Sequence, residues 1–209
     1  DDSLDGGSGT DEVSFVNSTT GVTLTLDTSN SVTASSDLGS DVVVNIENVR
    51  GSSSSDTITG DSADNVLMGE SGDDKLDGGT GADTLEGGAG ADILTVSAGD
   101  DTLDGGSDTD TVDFSSSTGV TLALDTSNNA TASSNLGSDV VVNVENVLGS
   151  DTRSDTITGD SAVNVISGQA GDDTFVASSG DDTLDGGADN DTVDFSSSTG
   201  VNLTLNTST

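Results

Sequence analysis

The chain has 209 residues, with 39 Asp and Glu against 3 Lys and Arg, a formal net charge of −36, and no Cys, His, Pro, Trp or Tyr. That balance excludes nucleic acid, whose counter-ions only Lys and Arg displace, and direct attachment to anionic membrane surfaces. It also excludes disulfides and thiolate metal sites, and no apolar run approaches the ~20 residues of a membrane span, so membrane insertion is not expected. Arg50, Lys75 and Arg153 cannot neutralise the carboxylates, which leaves a disordered acidic chain or a fold whose counter-ions are bound metals.

Residues 1–14 open on DDSLDGG and hold one nine-residue block, GGSGTDEVS, at 6–14. Residues 15–41 lack this pattern. There Val22, Leu24 and Leu26 alternate with Thr23, Thr25 and Asp27, which predicts a half-buried strand. From 42 to 113 the chain divides into nines without a slip: VVVNIENVR, GSSSSDTIT, GDSADNVLM, GESGDDKLD, GGTGADTLE, GGAGADILT, VSAGDDTLD, GGSDTDTVD. Val42, Val44 and Ile46 alternate in the first of these, with Val43 interrupting the polar face. Position six carries an acid or Asn, from Glu47 to Asp110, and position eight an aliphatic residue, from Val49 to Val112. Eight blocks in phase weigh against a disordered tail.

Residues 114–139 return to the irregular pattern, and the nonapeptides resume over 140–194, with one extra residue near Gly149. Residues 195–209 begin a third irregular stretch. A longer period lies above the short one. GVTLTLDTSNSVTASSDLGSDVVVNIENV (21–49) recurs as GVTLALDTSNNATASSNLGSDVVVNVENV (119–147). The DDSLDGG or DDTLDGG motif starts at Asp1, Asp100 and Asp181, spacings of 99 and 81 residues. These differ by 18, two nonapeptides, so the physical unit is read as one coil of two strands and two turns. The irregular stretches are expected to form wider coils of the same solenoid, free of ions. Phe15, Phe114 and Phe195, at equivalent points, are expected to plug the widened core. Gly, Ser, Thr, Asp and β-branched residues disfavour helix throughout.

One buried aliphatic side chain cannot offset the ordering of nine residues, so a ligand must bind the folded state. Glycines at positions one, two and four allow positive φ and close backbone approach. Such a loop turns carbonyls toward the position-six carboxylate, and carbonyl and carboxylate oxygens are what Ca²⁺ takes, six to eight at a time. One loop offers too few, so stacked loops 18 residues apart should share each ion. The expected carboxylate ligands are Asp11, Asp56, Asp74, Asp83, Asp92, Asp101, Asp110, Asp155, Asp173, Asp182 and Asp191. The expected glycine partners are Gly69, Gly78, Gly87, Gly105, Gly168 and Gly186, all at position one. Pairing should run Asp74 with Asp92, Asp83 with Asp101, Asp92 with Asp110 and Asp173 with Asp191. Blocks with Glu47, Asn65, Glu145 or Asn164 at position six depart from the pattern. Asp73, Asp100, Asp172 and Asp181 at position five should be exposed, and position-eight residues should form core.

GGTGADTLE and GGAGADILT resemble the RTX nonapeptide, glycine-glycine-x-glycine-x-aspartate-x-apolar-x. The resemblance implies an all-β, right-handed parallel β-helix or β-roll with Ca²⁺ in its turns, and secretion through a bacterial type I pathway. GESGDDKLD, VSAGDDTLD, GQAGDDTFV and ASSGDDTLD keep Gly at four and Asp at six but lose one or both leading glycines. Repeated acids with no unique cleft, and no His to activate a nucleophile, argue against an enzyme. With Asp1 in place of Met and no signal peptide in view, the chain reads as a piece of a longer protein. The expected role is structural, in a secreted surface protein that associates with more of its kind. The alternative is a Ca²⁺-dependent folding module of a secreted enzyme or toxin.

Overall fold

The computed structural model describes residues 2–26, 32–125 and 130–196, with backbone only for 32–36. The expected alternation at Asp27 and most of the third irregular stretch, 195–209, lie outside the described residues. Among those described, every regular element is a strand. The strands run β1 (Ser3–Asp5), β2 (Glu12–Ser14), β3 (Thr23–Thr25), β4 (Val32–Ser36), β5 (Gly39–Val44), β6 (Asn48–Arg50) and β7 (Thr57–Thr59). There follow β8 (Val66–Ser71), β9 (Lys75–Asp77), β10 (Thr84–Ala89), β11 (Ile93–Thr95), β12 (Thr102–Ser107) and β13 (Thr111–Asp113). Next come β14 (Val120–Ala123), β15 (Ala130–Ser134), β16 (Ser138–Val142), β17 (Asn146–Leu148) and β18 (Thr156–Thr158). The last are β19 (Val165–Ser167), β20 (Thr174–Val176), β21 (Thr183–Asp185) and β22 (Thr192–Asp194).

The chain winds as a two-sheet solenoid. One 11-stranded sheet runs β1-β5-β4-β3-β7-β9-β11-β13-β17-β19-β21, the other β2-β6-β8-β10-β12-β16-β15-β14-β18-β20-β22. Each nonapeptide forms half a coil, a turn and then a strand. Strands two nonapeptides apart pair in parallel, so Leu85 stands between Leu67 and Leu103, and Leu94 between Leu76 and Val112. The position-eight residues therefore stack into two apolar ladders facing each other, and Ile58, Leu67, Leu76, Leu85, Leu94, Leu103 and Val112 are fully buried. This is the expected core.

The irregular stretches are not wider coils. Each is an antiparallel meander set into one sheet: β3-β4-β5 in the first, β14-β15-β16 in the second. Their outer strands join the parallel stack, β5 on β1 and β3 on β7, β16 on β12 and β14 on β18. A turn too long for a nonapeptide folds back on the exposed strand edge, which is the cheapest partner for its free amides. Val22, Leu24 and Leu26 point inward as expected, and Phe15 and Phe114, ahead of the first and second meander, are buried in the core. Phe195 is only half-buried. The phase of β5 is opposite to the expectation: Asp41 and Val43 are buried and Val42 is exposed. The boundaries expected at 42 and 140 thus fall inside β5 and β16.

The two meanders occupy different sheets because an odd number of sheet-to-sheet crossings separates them. The recurring aspartate–glycine motif accordingly alternates, with β1 in one sheet, β12 in the other and β21 back in the first. The 18-residue difference between the two long repeats is one whole coil, which leaves that alternation intact.

Candidate metal centre

The three glycine positions do different work. Position two is left-handed at Gly7, Gly79, Gly88, Gly106 and Gly187, and so is position four at Gly9, Gly72, Gly81, Gly90 and Gly171. Asn45, Asp108, Asn143 and Asp189 hold position four at positive φ without glycine, whereas Ser54, Ala63, Arg153 and Ala162 at that position are not left-handed. Asn and Asp are the side chains that tolerate this region best. Position one has ordinary φ but no room for a side chain. A Cβ on Gly69, Gly87 or Gly168 would collide with the Oδ2 of Asp74, Asp92 or Asp173 and crowd the carbonyl of the glycine one coil on. On Gly78 and Gly186 it would meet the Asp83 and Asp191 carboxyls, and on Gly105 the Asp110 side chain and the Asn143 carbonyl.

The position-six carboxylates stack along both edges of the solenoid. On one edge Asp74 Oδ1 accepts the amide of Asp56 at 2.6 Å, Asp92 Oδ1 that of Asp74 at 2.7 Å, and Asp110 Oδ1 that of Asp92 at 2.9 Å. Glu145 continues the ladder from the Asp110 amide. On the other, Asp83 accepts from Asn65 at 2.8 Å and Asp101 from Asp83 at 2.9 Å. Later, Asp173 accepts from Asp155 and Asp191 from Asp173 at 3.1 Å. All four expected pairs are thus adjacent in the stack. Glu47 also joins a ladder, accepting from Asp11.

The second oxygen is where the cation belongs. Oδ2 of Asp11, Asp74, Asp83, Asp92, Asp110, Asp139 and Asp173 is buried with no hydrogen-bond partner. A buried carboxylate oxygen left unpaired is costly. Burial, with neighbouring carboxylates adding to it, pushes Asp74 and Asp110 up to about 7 and Asp83, Asp139 and Asp173 up to about 6. Asp92, Asp101 and Asp155 are raised by the same burial. No three acids converge among the described residues. The orphaned oxygens of Asp74, Asp83, Asp92, Asp110 and Asp173 instead lie against position-one glycine backbone, so the remaining donors would be carbonyls. Carboxylate plus carbonyl oxygens in a flexible loop fit Ca²⁺ and suit a softer metal poorly.

Other expected ligands are bonded within the protein. Asp56 Oδ2 takes the Ser52 amide at 2.6 Å, and Asp155 Oδ2 the Ser150 amide at 2.7 Å. Ser97 and Ser178 hydroxyls reach Asp101 and Asp182 at 3.4 and 2.7 Å. Asp191 is exposed. The position-five acids are exposed as expected, yet Asp73, Asp100 and Asp172 accept amides of the next coil, from Ala91, Ser138 and Asn190.

Asp41 and Asp139 escaped the sequence reading. Asp139 is fully buried, takes the Asp101 amide at 3.1 Å and extends that ladder into the meander; Asp41 takes the Asp2 amide at 2.8 Å. Their signal was present: Asp41-Val42-Val43 and Asp139-Val140-Val141 have an acid two before a buried aliphatic, the relation of position six to position eight. Numbering the blocks from Val42 hid it. The second meander therefore does carry an orphaned carboxylate, that of Asp139, contrary to the expectation that the irregular stretches are free of sites.

Among known families, the model of the RTX calcium-binding nonapeptide repeat (4 copies) matches residues 1–14, 46–76, 77–112, 150–184 and 168–197. No curated protein matches the chain.

Proposed function

Because the chain belongs to the family of RTX calcium-binding nonapeptide repeats, and is a calcium-binding repeat module of a secreted protein, we propose that it is a structural segment of a long bacterial surface protein. The working form is an adhesin stalk, a surface-layer subunit or an extracellular filament, exported by a type I pathway and folding on Ca²⁺ outside the cell. The observation that carries this reading is the long repeat. Two copies keep the same meander, the same coil behind it and the same alternation of sheets while differing in length by one whole coil. Repetition of that kind builds length. It serves no reaction centre.

A catalytic role is not proposed. A cleft of about 680 Å³ beside the second meander gathers Thr118, Thr152, Arg153, Asp172 and Asp189. The chain has no histidine to serve as base for a serine or threonine there. Ca²⁺ bound in the turns would neutralise the orphaned carboxylates and join successive coils. Rods of charge −36 repel one another, so lateral assembly would also depend on the ion. No described helix is long and apolar enough to cross a membrane, and attachment would run through flanking segments.

Imaging the native material in millimolar Ca²⁺ and in chelator tests the proposal. Extended rods or layers that come apart in chelator are expected. Compact monomers in millimolar Ca²⁺ would overturn it and favour a folding module of a secreted enzyme or toxin.

A further inference from the structure

Two kinds of turn differ in the backbone at position two; the turns at Ser97 and Ser178, where a serine hydroxyl reaches Asp101 or Asp182, belong to neither. Where that residue is left-handed, at Gly7, Glu70, Gly79, Gly88, Gly106 and Gln169, the position-six Oδ2 is orphaned: Asp11, Asp74, Asp83, Asp92, Asp110 and Asp173. Gly187 is left-handed too but precedes an exposed Asp191, and in the second meander Asp139 Oδ2 is orphaned with no left-handed residue four before it. At Ser52, Asp61, Ser150 and Asp160 the backbone is not left-handed, and the amide donates into the position-six side chain instead: Asp56, Asn65, Asp155 and Asn164. These four closed turns form the coil immediately behind each meander, 51–66 and its copy 149–165.

The closed coils carry further bonds that the open ones lack. Asn65 Nδ2 donates to the Glu47 carbonyl at 2.8 Å, and Asn164 Nδ2 to the Glu145 carbonyl at 2.9 Å. In open turns that position-six carbonyl takes the strand amide one coil on, as Asp74 takes Ile93. Here the displaced strand amides, Val66 and Val165, donate to the Asn48 and Asn146 side chains. Ser52 and Ser150 hydroxyls close the loops onto the carbonyls of Ser54 and Arg153. The position-six side-chain oxygen that an open turn leaves orphaned has a proton donor in these.

Building on the calcium-binding reading above, we propose that a position-two amide donated into the position-six side chain takes the place of Ca²⁺, and that the coils at 51–66 and 149–165 therefore take none. Serine, or the Asp–Asn combination, replaces the ion with its own N–H groups. Each long repeat thereby contains one metal-free coil, placed where the meander rejoins the stack. The ion ladder on each edge is interrupted there. The meander's docking site stays fixed by hydrogen bonds that do not depend on filling the neighbouring turns.

Two measurements decide it. First, crystals of the wild-type chain grown with Tb³⁺ in place of Ca²⁺ locate the ions by anomalous scattering. Density is expected beside Asp74, Asp83, Asp92, Asp110 and Asp173 and absent beside Asp56, Asn65, Asp155 and Asn164. Ions in the closed turns would overturn the proposal, whereas no ion in any turn would defeat the calcium reading itself. Second, Ser52→Gly and Ser150→Gly create a Gly-Gly start in turns that already have Asp at position six. Native mass spectrometry in Ca²⁺ should show one more ion for each substitution. An unchanged ion count in a folded variant would contradict the rule.

Discussion

At the level of single residues, the carboxylates at positions five and six look interchangeable in the sequence and are not. Asp92 is buried, holds the Asp74 amide and leaves its other oxygen orphaned; Asp73 is exposed and its carboxylate takes the Ala91 amide. Asp92→Ala strands a buried N–H and removes a cation ligand, so it should cost about 1–3 kcal/mol of stability and weaken Ca²⁺ binding at two neighbouring turns. Asp73→Ala should stay within about 0.5 kcal/mol. Calcium titration of both variants checks this, and equal effects would refute the assignment. The same burial fixes a pH response. In the metal-free fold Asp74 and Asp110 titrate near 7, and Asp83, Asp139 and Asp173 near 6, all above the ordinary carboxylate value of 3.8. A raised carboxylate favours the fold while protonated, so that stability is present in acid and lost as pH rises from about 4 to about 7. In chelator, residual β circular dichroism should therefore fall between pH 4 and pH 7. With Ca²⁺ present protons compete for the same oxygens, and affinity should drop as pH falls below about 7. A chelator signal that instead grew with pH would contradict the burial of these groups.

At the level of elements, the regular coils were readable because one period fixes everything in them. Nine residues give one turn and one strand, and burial of Leu67, Leu76 and Leu85 follows from spacing alone. The meanders were not readable. Alternation at Val22, Leu24 and Leu26 shows that a strand faces the core but does not say which neighbour it pairs with. The run Val42-Val43-Val44 offers two phases, and Asp41 settles it by joining the ladder. The difference between open and closed turns was hidden as well, since it depends on the direction of an amide and not on residue class. The internal copies show one compensation. Arg50 pairs with Glu70 at 2.6 Å, and the equivalent residues in the second copy are Leu148 and Gln169, neither of them charged. Gln169 keeps the left-handed backbone at φ 72° without glycine. Gln169→Gly should raise the thermal stability of the calcium-loaded protein by about 0.5–1 kcal/mol by relieving that conformation. A loss of stability would show that the Gln169 side chain contributes more than its backbone costs.

At the scale of the whole molecule, the alternation of meanders keeps the two sheets equal at 11 strands each among the described residues. Deleting residues 78–95 removes one coil and should leave a straight rod, shorter by one strand spacing of about 4.8 Å. Deleting only 78–86 moves every later strand to the opposite sheet. Both meanders would then lie in one sheet, which would outrun its partner by several strand spacings and force the rod to curve. Small-angle scattering of the two deletions separates these shapes, and identical profiles would refute the half-coil unit. The central claim is that Ca²⁺ is part of the fold, because a core of one apolar ladder per sheet cannot order this chain against the repulsion of 39 acidic side chains. Far-ultraviolet circular dichroism during a calcium titration at neutral pH tests it most directly. The chain should be largely unfolded in excess chelator and gain β signal as Ca²⁺ is added; a full β spectrum in chelator, unchanged by Ca²⁺, would contradict the account.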